Sequence, residues 1–169
     1  MEASKILVAM ENSIAYIQIK GKGSFQNAQP VKTFYKEMLR KNITRFVVDL
    51  EECSHMDSTF LGTIVGLAMQ LKEKVGKLQI INAGAHNTDV MKDLGLHRVS
   101  TIEIGPPSIE PARVKELQTQ PSDQKSIAEH MLEAHETLMQ IDPANMAKFK
   151  DVIAYLKEDL RQSAELPPL

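Results

Sequence analysis

Residues 45–64 read RFVVDLEECSHMDSTFLGTI, and the way this stretch divides decides the fold. FVVDL (46–50) is a continuous apolar run but for Asp49, the pattern of a strand buried on both faces. Beyond the polar residues that follow it, Leu61, Ile64, Val65, Ala68, Leu71 and Val75 recur at helical spacing. A strand that feeds a helix through a short polar loop is the repeating unit of an α/β sheet. Asp57, Ser58 and Thr59 fall at the junction. All three types are favoured helix caps, so capping alone accounts for them. The competing reading makes one of the hydroxyls a site of chemistry.

Outward from this unit the pattern continues. KILVAM (5–10) and IAYIQIK (14–20), separated by Glu11, Asn12 and Ser13, read as a hairpin. Residues 28–41 put Val31, Phe34, Tyr35 and Met38 on one helical face. Gly76 is placed to cap the helix that starts near residue 59. LQIIN (78–82) reads as a strand, 87–94 as a short helix closed by Gly95, and VSTIEI (99–104) as a last strand. The order ββαβαβαβ predicts an α/β fold: a mixed, mostly parallel sheet with an antiparallel edge and packed helices.

Composition changes near residue 105. All eight glycines lie at or before Gly105, and seven of the eight prolines lie at or after Pro106. The predicted organisation is a sheet domain over 1–105, a proline-containing linker over 106–122 and a helical hairpin over 123–165. The linker is read as loop with one helical turn at most. In the hairpin, Ile127, Met131, Ala134, Leu138 and Ile141 form one stripe, and Met146, Phe149, Ile153, Leu156 and Leu160 a second. Asp142 and Pro143 suit the N-cap and first position of the second helix. Two narrow stripes can bury each other, the sheet domain or a partner.

The formal net charge is −2, which gives no bulk attraction to nucleic acid or anionic lipid. A single cysteine, Cys53, excludes an internal disulfide and fits a reducing compartment. MEASKILVAM lacks the basic start and apolar length of a signal peptide, so the expected location is cytoplasmic. Gly21-Lys22-Gly23-Ser24-Phe25-Gln26 has glutamine where a dinucleotide fingerprint needs its third glycine, and Asn27 can cap the following helix. No Gly-x-Ser-x-Gly elbow marks a hydrolase around Ser58. His130 and His135 lie five residues apart, about 140° around a helix, poor geometry for one metal ion. Neither an enzyme, a cofactor nor a metal site is expected. The nine methionines read mainly as core, with a docking role open for those in the tail.

The stretch VVDLEECSHMDSTFLGTIVGLA resembles the signature of STAS domains of the anti-sigma factor antagonist family, in which Asp-Ser-Ser/Thr-Gly-Leu-Gly opens a helix. Here that motif reads Asp57-Ser58-Thr59-Phe60-Leu61-Gly62, and KLQIINAGAHNTDVMKDLGLHRV resembles the family's continuation, with Gly95-Leu96 in the place of its Gly-Leu pair. The resemblance covers about 1–105. It implies a non-enzymatic regulator that binds an anti-sigma factor or related kinase, is phosphorylated on Ser58 (Thr59 as fallback) and is restored by a phosphatase. It puts the partner surface on the 52–62 segment and the 21–27 loop, through Gly23, Ser24, Phe25, His55, Met56, Asp57, Phe60 and Leu61. Two departures stand out. Phe60 replaces the usual glycine, and GKGSFQN (21–27) replaces an acidic Gly-Glu-Leu-Asp-like segment. Phe60 favours the alternative of an unphosphorylated STAS adaptor acting through its helical tail. That tail could cover the partner surface, form a homodimer or hold a second partner.

Overall fold

Alternating apolar residues build β1 (Lys5–Glu11) and β2 (Ile14–Gly23) in a computed structural model that describes residues 3–105 and 113–165. Asn12 and Ser13 both take positive φ, 53° and 62°, the tight two-residue turn whose twist matches a hairpin. Helix α1 (Phe25–Arg40) follows, then β3 (Arg45–Asp49), β4 (Cys53–Met56), α2 (Ser58–Glu73), β5 (Lys77–Ile81), α3 (Ala85–Leu94) and β6 (Thr101–Glu103). A short β7 (Lys115–Glu116) precedes α4 (Gln124–Ile141) and α5 (Asn145–Glu165).

The sheet runs β6-β5-β3-β2-β1-β7, with β4 paired beyond the end of β2. Strands β2, β3, β5 and β6 are parallel, and β1 and β7 form the antiparallel edge. Ile17, Ile19, Phe46, Val48 and Ile80 bury one sheet face against Val31 and Tyr35 of α1 and Leu61, Ile64 and Val65 of α2. Two strands were not expected. One is β4, which carries the chain from β3 to α2. The other is β7, in which Lys115 and Glu116 pair with Val8 and Leu7 inside the stretch read as loop. The rest of that stretch, 106–112, lies outside the described residues.

The end of α2 differs from expectation. Val75, not Gly76, takes the left-handed conformation, at φ 55°. Val75 N–H donates to the Lys72 carbonyl and Gly76 N–H to that of Leu71, at 3.3 and 2.7 Å, closing a Schellman motif. Gly76 is required for another reason: a Cβ there would lie 2.5 Å from the Thr44 carbonyl oxygen. Val75 is 94% exposed, so its strained backbone is offset by no packing. Val75→Gly is expected to raise stability by about 1 kcal/mol, a gain of about 2–4 °C in the thermal midpoint.

The hairpin packs on the sheet domain through α4, which lies along α2, while α5 packs on α4. Leu138 is fully buried within the main core, and Ile153 and Leu156 of α5 are buried beside it in the hairpin. The turn between the helices also departs from the sequence reading. Helix α5 starts at Asn145, Pro143 sits in the turn, and Asp142 accepts from Ala144 N–H through its side chain, at 3.0 Å. Asn145 is completely buried and donates through Nδ2 to the carbonyls of Leu94 and Leu138, at 2.9 and 2.8 Å. It thereby ties the hairpin to the end of α3. Lys148 pairs with Asp93, and Arg98 with Asp142, around the same junction. Asn145→Ala leaves two buried carbonyls unpaired and is expected to lower stability by about 1–3 kcal/mol in a urea melt.

Candidate functional site: the start of α2 beneath α4

Asp57 is the N-cap of α2, so Ser58 is its first helical residue. The capping duty assigned loosely to Asp57, Ser58 and Thr59 thus falls on the aspartate. Asp57 Oδ1 accepts from Phe60 N–H and Oδ2 from Phe25 N–H, each at 2.8 Å. One carboxylate therefore holds the starts of two helices, where the backbone presents unpaired N–H groups and positive partial charge. Its own N–H donates to the Gly23 carbonyl at 2.9 Å, joining the end of β2 to the same point. Ser24, rather than Asn27, is the N-cap of α1, and Asn27 completes a capping box with it.

The Ser58 hydroxyl is left for another use. Its Oγ lies 2.8 Å from Nε2 of His135, on α4. His135 Nδ1 lies 2.5 Å from the Met131 carbonyl oxygen, which can only accept. The ring proton therefore sits on Nδ1, and in the neutral ring Nε2 accepts from Ser58. Phe149 of α5 backs the imidazole edge-on, with ring centroids 5.1 Å apart. One turn further along α2, the Thr63 hydroxyl donates to the Thr59 carbonyl, at 2.8 Å, and lies 2.8 Å from Nε2 of His130. Nδ1 of His130 meets the Gln29 side-chain amide. Between these two contacts Gly62 faces the backbone of Ala134. The histidines thus straddle the line along which α4 meets α2. Their positions beside the apolar stripe were visible in the sequence, but their hydroxyl partners were not.

The residues expected to form the partner surface divide into two groups. Gly23, Met56, Phe60 and Leu61 are buried. The Phe60 ring lies under Gly23, where a Cβ would come within 2.7 Å of it, so it packs inward and not beside Ser58. Ser24, Asp57 and Ser58 are half-buried, Thr59 is buried, and Phe25 and His55 are exposed. His55 stacks on His86 from the start of α3, at 5.9 Å between centroids. Phe25, His55 and His86 thus form an open rim at the carboxyl ends of the parallel strands, beside the covered serine.

Electrostatics at the α4 contact depend on pH. Burial holds His130 below its ordinary value of 6.5, helped by the Lys32 and Lys36 charges and opposed by Glu133. Burial pushes Glu133 up, but its hydrogen bond and ion pair with Lys32 outweigh this and hold it below the usual carboxylate range. The unfolded chain binds a proton on His130 near 6.5, whereas the folded chain binds one only at lower pH. This contribution to stability is complete above that value and is lost as pH falls through the folded one; Glu133 acts in the same direction at more acid pH. Acidification from about pH 7.5 to 5.5 is expected to lower the thermal midpoint, with a shallower slope in His130→Gln.

The geometry is that of a STAS-type α/β domain with a helical hairpin packed on it. The fold matches that of the anti-sigma factor antagonist SpoIIAA in its unphosphorylated form, with TM-score 0.51 and 14% identity over 62% of this chain and 89% of that one. The phosphorylated form of SpoIIAA from Bacillus matches with TM-score 0.51 and 17% identity, over 62% of this chain and 92% of the other. An anti-sigma factor antagonist from Mycobacterium paratuberculosis matches with TM-score 0.54 and 14% identity, over 64% and 89%. At these identities the likeness is one of fold. No curated protein sequence matches the chain. The family profile described as "Mlab, STAS domain" matches residues 6–104, and the chain belongs to that family. Among the described residues no helix is long and apolar enough to cross a membrane.

Proposed function

We propose that this chain is a non-enzymatic cytoplasmic regulator of the anti-sigma factor antagonist type, which binds an anti-sigma factor or related kinase and is switched by phosphorylation of Ser58. The observation that carries the reading is the position of Ser58: first residue of α2, its hydroxyl free of capping, beside the exposed Phe25 and His55 rim. A phosphate there meets the positive end of α2, favourable by about 0.3–1 kcal/mol, so the sheet and α2 are expected to stay folded. It adds about −1.5 to −2 charges at pH 7. Buried under a docked partner without compensation, such a charge costs about 2–5 kcal/mol, roughly 30- to several-thousand-fold in affinity. The effect on the interface exceeds the effect on the fold, which is the requirement for a binding switch.

A second reading is favoured by the bond between Ser58 and His135. With its hydroxyl occupied by the tail, the domain serves as an unphosphorylated adaptor that acts through the hairpin. Intact mass and phosphopeptide mapping of the protein from its own cells, with and without stress, separates the two. One added phosphate on Ser58 is the expected result. Its absence from both Ser58 and Thr59 under every condition overturns the switch in favour of the adaptor.

A further inference from the structure

We propose that α4 is a cis occupant of the domain's docking face, and that a phosphate on Ser58 evicts it; the second half rests on reading Ser58 as a phosphoacceptor. Helices α2 and α4 run antiparallel and are joined at matched positions: Ser58 to His135 and Thr63 to His130, both at 2.8 Å. Gly62 permits the close approach between them, since a Cβ there would lie 2.3 Å from the Ala134 carbonyl oxygen. Lys32 of α1 grips Glu133 on the flank of the same helix. This face is built to hold a helix, and the chain supplies one.

The 2.8 Å gap between Ser58 Oγ and His135 Nε2 has no room for a phosphorus bonded to Oγ. Ser58 is half-buried, so a phosphate can turn outward only by giving up the imidazole, which leaves a buried ring nitrogen without its partner. Residues 106–169 carry 7 basic and 11 acidic side chains, net −4, so the new negative charge also repels the tail as a whole. While α4 is docked, any partner reaching for this face binds more weakly, by the fraction of time the face is open.

Hydrogen exchange on the full-length protein, with phosphoserine incorporated at position 58 by genetic encoding, tests the eviction without a kinase or a partner. Amides of 127–140 are expected to exchange about thirty-fold faster or more than in the unmodified protein, while those of β2, β3 and β5 keep their rates. Gly62→Leu, an uncharged wedge against Ala134, is expected to release the same segment. Unchanged or greater protection of 127–140 in the phosphoserine protein overturns the proposal, whatever Gly62→Leu does to the fold. The two readings fail separately. A tail released by phosphoserine, with no phosphate found in cells, removes the natural switch and leaves the eviction standing. A tail that stays docked, with phosphate found in cells, does the reverse.

Discussion

Phe60→Gly is expected to lower stability by about 4–6 kcal/mol, about 3–5 from the lost ring and about 1 from glycine inside a helix. This is the substitution that would restore the residue usual in the resembling motif, so it would be the natural choice for repairing a switch. The structure argues that it does the opposite. Phe60 is fully buried, and its ring fills the space beneath Gly23 at the end of β2. For a domain whose total stability is of order 5–15 kcal/mol, the loss brings the chain close to unfolding. A urea melt measures it. The pairing with Gly23 has its own signature. Gly23→Ala alone puts a Cβ 2.7 Å from the ring and is expected to destabilise. In a Phe60→Leu background the ring is gone, and the same change is expected to cost at least about 0.5 kcal/mol less. Additive effects would place the ring elsewhere.

The inward turn of Phe60 also shows where sequence reading stops. The β-hairpin, α1 and α2 were legible because apolar residues recur at period two or at helical spacing, and β3 because a continuous apolar run suits a strand covered on both faces; the structure buries the residues those patterns select. Strand β4 was not legible. Of its residues only Cys53 and Met56 are buried, and they are separated by Ser54 and His55, so no alternation marks it. It forms because β2 runs long enough to pair Gly21 and Gly23 with Cys53 and Met56. The Val75 turn was misread because glycine preference pointed at Gly76, whereas close approach to Thr44 is what demands glycine there. The hairpin stripes were correctly seen as apolar. Their destination was not in the pattern, since α4 meets α2 through Ala134, Leu138 and two imidazoles, and a short stripe of this kind can cover many faces. The residues proposed for the site come together around the α2 start, as their spacing in the sequence implied. Its cover was not, because a hydrogen bond between Ser58 and His135 joins residues 77 apart in the chain.

Removing the Asp57 carboxylate is expected to loosen two helices at once. In Asp57→Ala both the Phe60 and Phe25 N–H groups lose their acceptor, and at about 0.5–2 kcal/mol for each cap the loss is about 1–4 kcal/mol. Asp57→Asn discriminates this clamp from an ordinary cap. An asparagine has one side-chain oxygen, so it can serve one helix while its NH2 faces a second donor. It is therefore expected to recover no more than about half of what alanine loses. The consequence for the site follows from position. Ser58 is the next residue, and its hydroxyl reaches His135 only while the first turn of α2 is held in place. Hydrogen exchange at the start of α2 and in α4 is expected to rise together in Asp57→Ala, with the β3 and β5 amides unaffected. If alanine and asparagine both leave stability within about 0.5 kcal/mol of the unmodified protein, the carboxylate is not the clamp, and the order of the serine must come from α4 alone.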